Sequence, residues 1–272
     1  MSALPAWPYP RLAAHRGAGK LAPENTLAAF RLGYAHGYQM AELDAKLSAD
    51  GVAFLLHDNT LDRTTNATGR ADALNWRQLS LLDAGAWHSP AYAGEPLATL
   101  AAVARWSRSH DVAINVEIKP TLGRERETGA AIALDVATLW SGASVMPLLS
   151  SFSEVTLAAA REAVPDLPRA LLGDRLPGDW RERVERLGCI AVDIEHSLLT
   201  PERVDQFRAA GLRIAAWTVN DPARVADLLA WGVDTVITDA VDAIPAFRPV
   251  SQRGGIVTNE LIDALREDGA GG

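Results

Sequence analysis

The chain has 272 residues, a formal net charge of −8, and is 48% hydrophobic and 22% charged. That length suits one (β/α)8 barrel, which takes about 250 residues, and the composition excludes a disordered chain. No Lys/Arg block stands out, so the acidic balance argues against a nucleic-acid binder, and an anionic substrate would need placed cationic side chains or a bound cation.

Short β-rich runs alternate with Ala/Leu-rich amphipathic runs, the pattern of an α/β protein with a parallel sheet. The first strand is expected at Leu12–His15 and the first helix from Thr26 to His36, with Asn25 as its N-cap and Gly37 as its stop. A strand follows at Met40–Lys46. Asp50-Gly51 then signals a tight turn, so Val52–Leu56 reads as a returning antiparallel strand outside the barrel. Helices are expected at Leu100–Ser109, Thr128–Trp140, Ser153–Ala163, Asp179–Leu187, Pro201–Ala210 and Pro222–Trp231. The strands between and after them are Ala113–Ile118, Pro147–Ser150, Arg169–Leu172, Ile190–Ile194, Arg213–Val219 and Thr235–Thr238. With the hairpin strand set aside, eight strands remain, which is the number that closes a TIM-type (β/α)8 barrel. One barrel domain is expected over residues 1–272. Residues from about 59 to 99 form a small insertion after the second strand, placed to cover the barrel mouth. A tail from about 249 to 272 holds a short helix at Asn259–Arg266.

Barrels of this kind carry their active sites at the C-terminal ends of the strands. There the chain has His15-Arg16-Gly17, Glu42-Leu43-Asp44 and Glu117-Ile118-Lys119. A spacing of two puts Glu42 and Asp44 on one strand face, and Glu117 and Lys119 on another. Three converging carboxylates suit a hard divalent cation; structural ion pairs with Arg and Lys are the alternative. A turn near Ala49–Val52 sets Asp44 opposite His57, which brings His57 level with His15. Two imidazoles beside a metal can act as general acid and base, because their pKa is near neutrality. His36, His88, His110 and His196 read as structural or surface residues.

Other features bound the setting. The first ten residues hold Pro5, Pro8 and Pro10, with neither the basic segment nor the apolar stretch of an export signal. No apolar run approaches the ~18 residues of a membrane span. Cys189 is the one cysteine, and its neighbours Ile190, Ala191 and Val192 mark it as an inert core thiol. A cytoplasmic protein without stable membrane association is the expectation. Oligomeric state is not legible.

The motifs His15-Arg16-Gly17, Pro23-Glu24-Asn25-Thr26, Glu42-x-Asp44, Asp50-Gly51, His57-Asp58, Arg63-Thr64-Thr65, Gly69 and Glu117-Ile118-Lys119 occur in an order that resembles the glycerophosphodiester phosphodiesterase family. Ser151-Phe152, Trp217-Thr218-Val219-Asn220 and Thr238-Asp239 extend the match over about residues 10 to 245. The pattern looks closest to the short cytosolic bacterial type linked to glycerol-3-phosphate uptake. The resemblance implies a TIM barrel in which Glu42, Asp44 and Glu117 bind one divalent metal ion, Mg2+ or Ca2+. It implies His15 and His57 as the acid/base pair, Arg16 and Lys119 as phosphate holders, and Trp217 and Phe152 as walls of the substrate pocket. Glu24 and Asn25 are then supporting or helix-capping residues, Asp239 a candidate support, and Asp58 and Arg63 candidate anchors of the insertion. The other tryptophans mostly read as packing.

The implied reaction hydrolyses a small glycerophosphodiester, such as glycerophosphocholine or glycerophosphoethanolamine, to glycerol 3-phosphate and an alcohol. Three rival readings are weighed against it. A lipid substrate would favour an apolar membrane-facing rim, which no basic amphipathic segment supports. A binding-only barrel would have no use for the two histidines. An unrelated metal isomerase or aldolase on the same fold would leave the combined motifs unexplained.

Overall fold

A computed structural model of the protein describes residues 4–246. The tail from residue 249 and its expected helix at Asn259–Arg266 lie outside the described residues. In chain order the elements are β1 (Leu12–Ala14), α1 (Leu27–Ala35), β2 (Met40–Leu47), β3 (Ala53–Leu55), α2 (Trp76–Leu79), α3 (Leu100–Ser109), β4 (Ala113–Ile118) and α4 (Glu125–Leu139). They continue with β5 (Leu148–Ser151), α5 (Glu154–Ala163), β6 (Arg169–Gly173), α6 (Trp180–Leu187), β7 (Ala191–Glu195), α7 (Pro201–Ala209), β8 (Arg213–Trp217), α8 (Pro222–Trp231) and β9 (Thr235–Thr238).

Eight strands pair in parallel in the order β1-β2-β4-β5-β6-β7-β8-β9, and β9 returns to β1, so the barrel is closed. β3 pairs antiparallel with β2 alone and stays outside the ring, as expected. The helices begin where the sequence supplies an acceptor: Thr26, Thr99, Ser153, Thr200 and Asp221 each accept a backbone N–H from the first turn. The cap of α1 is therefore Thr26 and not Asn25. Asn25 has φ +61 and turns its side chain toward β2 instead.

The period of two along each strand sorts the barrel. Outward residues of β2 and β4, such as Leu43, Ala45, Val116 and Ile118, pack with α3 and α4; outward residues of β7 to β9 pack with α6, α7 and α8. Inward, the lower layer is apolar, built from Ala13, Met40, Leu148, Ala170, Ala191 and Ile237 and stoppered by Tyr9, whose hydroxyl donates to the Met146 carbonyl at 2.9 Å. The next inward positions up β2, β4, β5 and β7 are Glu42, Asn115, Ser150 and Asp193, all buried. One ring thus has a dry plug below and a polar chamber above.

The hairpin departs from expectation by one residue. The ladder pairs Ala45 with Leu55 and Leu47 with Ala53, and the Leu56 N–H donates to the Asp44 carbonyl at 3.1 Å, so Leu56, not His57, lies opposite Asp44. The loop has three residues between Ser48 and Val52, which bond each other, and Gly51 at φ +81 supplies the left-handed position such loops need. Residues 59–99 form a satellite around Leu61, Ala71, Leu79, Ala84 and Leu97, packed on Phe54 of β3.

Candidate active site

The turn after β1 sets the first side chains. Arg16 has φ +50 and Gly17 φ +101, so the chain reverses sharply. α1 lies so close to this turn that a Cβ on Gly33 would sit 2.0 Å from the Gly17 carbonyl oxygen. The glycine contact clamps the turn, and with it His15 and Arg16, over the barrel mouth. β2 and β4 run in register, with Asp44 beside Glu117. Glu42, Asp44 and Glu117 consequently present oxygens within 4.8 Å of one another.

Their surroundings leave hydrogen-bonding capacity unfilled. Glu42 Oε1 and Asp44 Oδ1 are buried and have no hydrogen-bond partner. Lys119 Nζ is 2.6 Å from Glu117 Oε1 and 3.3 Å from Asp44 Oδ1, the second contact being an ion pair without hydrogen-bond alignment. Arg16 Nε stands 3.3 Å from Asp44 Oδ2, and Asn25 Nδ2 donates to the same oxygen at 2.7 Å. Burial, then Asp44 and Glu117, push Glu42 well above the usual carboxylate range; burial and Asp44 push Glu117 up too. Burial would also raise Asp44, but Lys119, Arg16 and His57 outweigh it and hold that carboxyl low. Buried carboxylates that protonate unless partnered, with orphan oxygens facing one another, fit a hard divalent cation.

Each candidate imidazole has a carboxylate on its Nδ1. His15 Nδ1 is 2.7 Å from Asp239 Oδ1, and His15 Nε2 is 3.8 Å from Glu42 Oε2. His57 Nδ1 is 2.8 Å from Asp58 Oδ1. Such a partner fixes the tautomer and leaves Nε2 for chemistry. Burial, aided by Lys119 and Arg16, lowers the His57 pKa against the pull of Asp44 and Asp58. Arg63, from the insertion, grips Asp58 at 2.7 Å and Glu24 at 2.7 Å, and Glu24 accepts from Arg16 at 2.9 Å. Asp58 and Arg63 therefore do more than anchor the insertion: they tie His57 to the Arg16 turn.

His15, Arg16, Glu42, His57, Glu117, Lys119, Phe152 and Trp217 all line one cavity of about 170 Å³. Asp44 lies just outside its lining, in the carboxylate cluster. Residues 59–99 do not line it either; the insertion meets the site through Arg63, which bonds Glu24 and Asp58 behind the lining. A concavity of about 240 Å³ beside α6 shares Phe152 and Leu172 with it but holds neither histidine. The sequence reading missed Asn115, Ser150, Leu172, Asp193, Thr218 and Ile237 in the lining. For Asn115 a signal existed, since it stands two before Glu117. Asp193 interrupts an apolar strand at an inward position, where burial, with Glu117, pushes its carboxyl up to about 7.

Of the other histidines, His88 donates from Nε2 to the Lys20 carbonyl, 3.0 Å away, and His110 stacks on Trp106 with ring centroids 5.0 Å apart. Cys189 is buried, and burial pushes its thiol up to about 12. No helix among the described residues is long and apolar enough to cross a membrane.

Comparison with known proteins gives a family match and shared folds. The model of the glycerophosphoryl diester phosphodiesterase family matches residues 15–243. The Bacillus subtilis protein YhdW is 35% identical over 236 residues, spanning 85% of this chain and 95% of its own. The glycerophosphodiester phosphodiesterase of Caldanaerobacter subterraneus is 31% identical over 227 residues, 83% of this chain and 92% of its own. Among solved structures, an Oleispira antarctica phosphodiesterase in complex with the product sn-glycerol-3-phosphate superposes with a TM-score of 0.81 at 31% identity, covering 94% of this chain and 97% of that one.

Proposed function

The chain belongs to the glycerophosphodiester phosphodiesterase family and is thus a phosphoric diester hydrolase; from that premise we propose that it cleaves small glycerophosphodiesters to glycerol 3-phosphate and a free alcohol, using His15 and His57 as acid and base. The observation that carries the reading is the convergence of two carboxylate-backed imidazoles, one guanidinium, one ammonium and a three-carboxylate cluster at a single cavity. Support for the product comes from the glycerol 3-phosphate complex of the Oleispira relative.

Glu42, Asp44 and Glu117 would hold one divalent cation, Mg2+ or Ca2+, which supplies positive charge against the phosphate oxygens. The protein's own groups do the rest. Arg16 and Lys119 orient the phosphate and offset charge that grows in the transition state. One imidazole takes the proton of the attacking oxygen, and the other gives a proton to the departing alcohol oxygen as the P–O bond breaks. The attacker is water or the glycerol hydroxyl beside the ester; the second route passes through a cyclic phosphate that water opens. Either needs the same pair. Phe152 and Trp217, with ring centroids 5.5 Å apart, wall the substrate side.

The test is glycerol 3-phosphate release from glycerophosphocholine by the purified protein, after chelation and after adding back Mg2+ or Ca2+. Release that stops on chelation and returns with a cation is expected. Release unaffected by chelation would refute the metal assignment, and no release from any glycerophosphodiester would refute the substrate.

A further inference from the structure

The concavity of about 240 Å³ beside α6 has no part in the chemistry above. Along β6 the period of two turns Leu172 into the barrel and its neighbours Leu171 and Gly173 out of it. Leu172 lines the catalytic cavity. On the other side of the barrel wall, Leu171, Val192 and Ile194 pack with Trp180 at the start of α6, and the concavity is a cleft among them. Gly173 keeps it open. A Cβ there would lie 3.5 Å from Ile194 Cδ1, so a longer side chain would take up the space. Phe152 and Leu172 line both the cleft and the catalytic cavity, and a group that passes over this edge goes from one to the other. A larger concavity of about 530 Å³ lies at the opposite end of the barrel, around Gln39, Val112 and Val145, away from a substrate at the mouth.

The lining says what the cleft takes. Val192, Ile194 and Trp180 are 1%, 3% and 6% exposed, and Leu171, Leu176 and Pro177 are half-buried. Its four charged side chains are matched by sign: Arg183 bonds Glu154 at 2.5 Å, and Arg175 lies 3.8 Å from Asp174. Those charges cancel, so a charged head group finds no net attraction there. A hydrocarbon group gains free energy by leaving water against these apolar side chains.

We propose that this cleft receives an apolar extension of the substrate's alcohol, so that the enzyme prefers glycerophosphodiesters whose alcohol carries a short hydrocarbon chain. The inference rests on the function proposed above and deepens it. The catalytic cavity holds the phosphate, and the cleft selects among alcohols by length and polarity.

The test uses the full chain with the ethyl, butyl and hexyl esters of glycerol 3-phosphate. These unbranched alcohols are of nearly equal acidity, so the leaving-group chemistry stays constant. In the wild type, kcat/KM should rise about two- to fourfold for each CH2 added, the scale of burying one methylene. Two variants act on the cleft alone, Gly173→Leu, which fills it, and Leu176→Asp, which puts a charge in it. Neither residue lines the catalytic cavity. Hydrolysis of the ethyl ester should therefore stay within about twofold of wild type, as expected of a site outside the reacting groups. The gain from ethyl to hexyl should shrink to about threefold or less, since the chain no longer finds an apolar cleft. If Gly173→Leu does not fold, Leu176→Asp decides. A wild type with no gain along the series, or a gain that survives in the folded variants, would overturn the cleft while leaving the proposed function standing. A diester with the hexyl group moved to the glycerol as an ether, and a methyl ester as the alcohol, separates the two arms of the substrate. A gain found only with that compound would overturn the assignment to the alcohol. No hydrolysis of any of these diesters would overturn both the cleft and the proposed function.

Discussion

Across the mouth of the barrel, two flanks of the cavity are built from different materials. On the side of β1, β2 and β4 stand three carboxylates, a guanidinium, an ammonium and the His15 imidazole, joined by contacts of 2.6–3.8 Å, with the His57 imidazole beside them on Asp58. On the side of β6 to β9 stand Leu172, Trp217 and Ile237, with the carboxyl of Asp193, which accepts from Asn115 Nδ2 at 3.2 Å. The first flank is crowded with charges that would be costly to bury alone, and it is held by partners behind it: Asp239, Asp58, Arg63, Asn25 and Glu24. The second flank needs no such scaffolding, because the strands and their helices already fix its shape. Charge concentrated on one side can polarise and transfer protons; the opposite side can only select what fits.

The comparison breaks most sharply at the imidazoles. His15→Ala and His57→Ala should each lower kcat by about 10²–10⁴, with melting temperatures close to wild type, because both rings are partly exposed and outside the core. Steady-state kinetics on glycerophosphocholine and a thermal melt read this out. Full turnover in the double variant would remove the acid/base assignment.

A smaller effect is expected one contact further back. Asp239 holds His15 by its Nδ1 and accepts no contact from the cavity itself. Asp239→Asn should lower kcat about tenfold, the usual scale for a partner that orients a catalytic or ligating ring, with KM unchanged. A parallel rise in KM would mean that Asp239 serves substrate binding and not ring orientation. A kcat unchanged from wild type would show that His15 keeps its orientation through the Gly17–Gly33 contact alone.

The two flanks also differed in legibility. The charged flank was read nearly whole from sequence, because charges at strand ends are rare enough to stand out and the period of two groups them. Helix and strand positions followed from the same periodicity: the expected helix at Pro222–Trp231 and strand at Thr235–Thr238 are the observed ones. Failures arose where local pattern is ambiguous. Asp-Gly suggested a two-residue turn, but the Ser48 hydroxyl accepts the Val52 N–H and donates to Asp50, which favours the longer loop and shifts the register. Asn25 and Thr26 are both good caps on type, and only the demand of Asp44 for a donor separates them. The uncharged part of the lining was almost silent, since a Ser, an Asn and an Asp inside apolar strands look like any buried polar residue until closure of the ring brings them together.

The smallest effect should come from Phe152, which belongs to the selective flank by position but touches the charged one. Its ring is 44% exposed, meets Trp217 edge-on, and lies 5.7 Å from Lys119 Nζ. Lys119 does not depend on that ring, because Glu117 holds it at 2.6 Å. Phe152→Ala should therefore leave kcat within about twofold. Losing one exposed aromatic face toward a cationic head group is worth about 0.5–1 kcal/mol, so KM for glycerophosphocholine should rise about two- to fivefold and thermal stability should hold. A diester with an uncharged alcohol should show a smaller rise, and the difference between the two substrates measures what the ring gives to the cation. If kcat instead fell as far as in the histidine variants, Phe152 would be acting through Lys119, and the boundary between the flank that reacts and the flank that selects would have to be redrawn between Phe152 and Trp217.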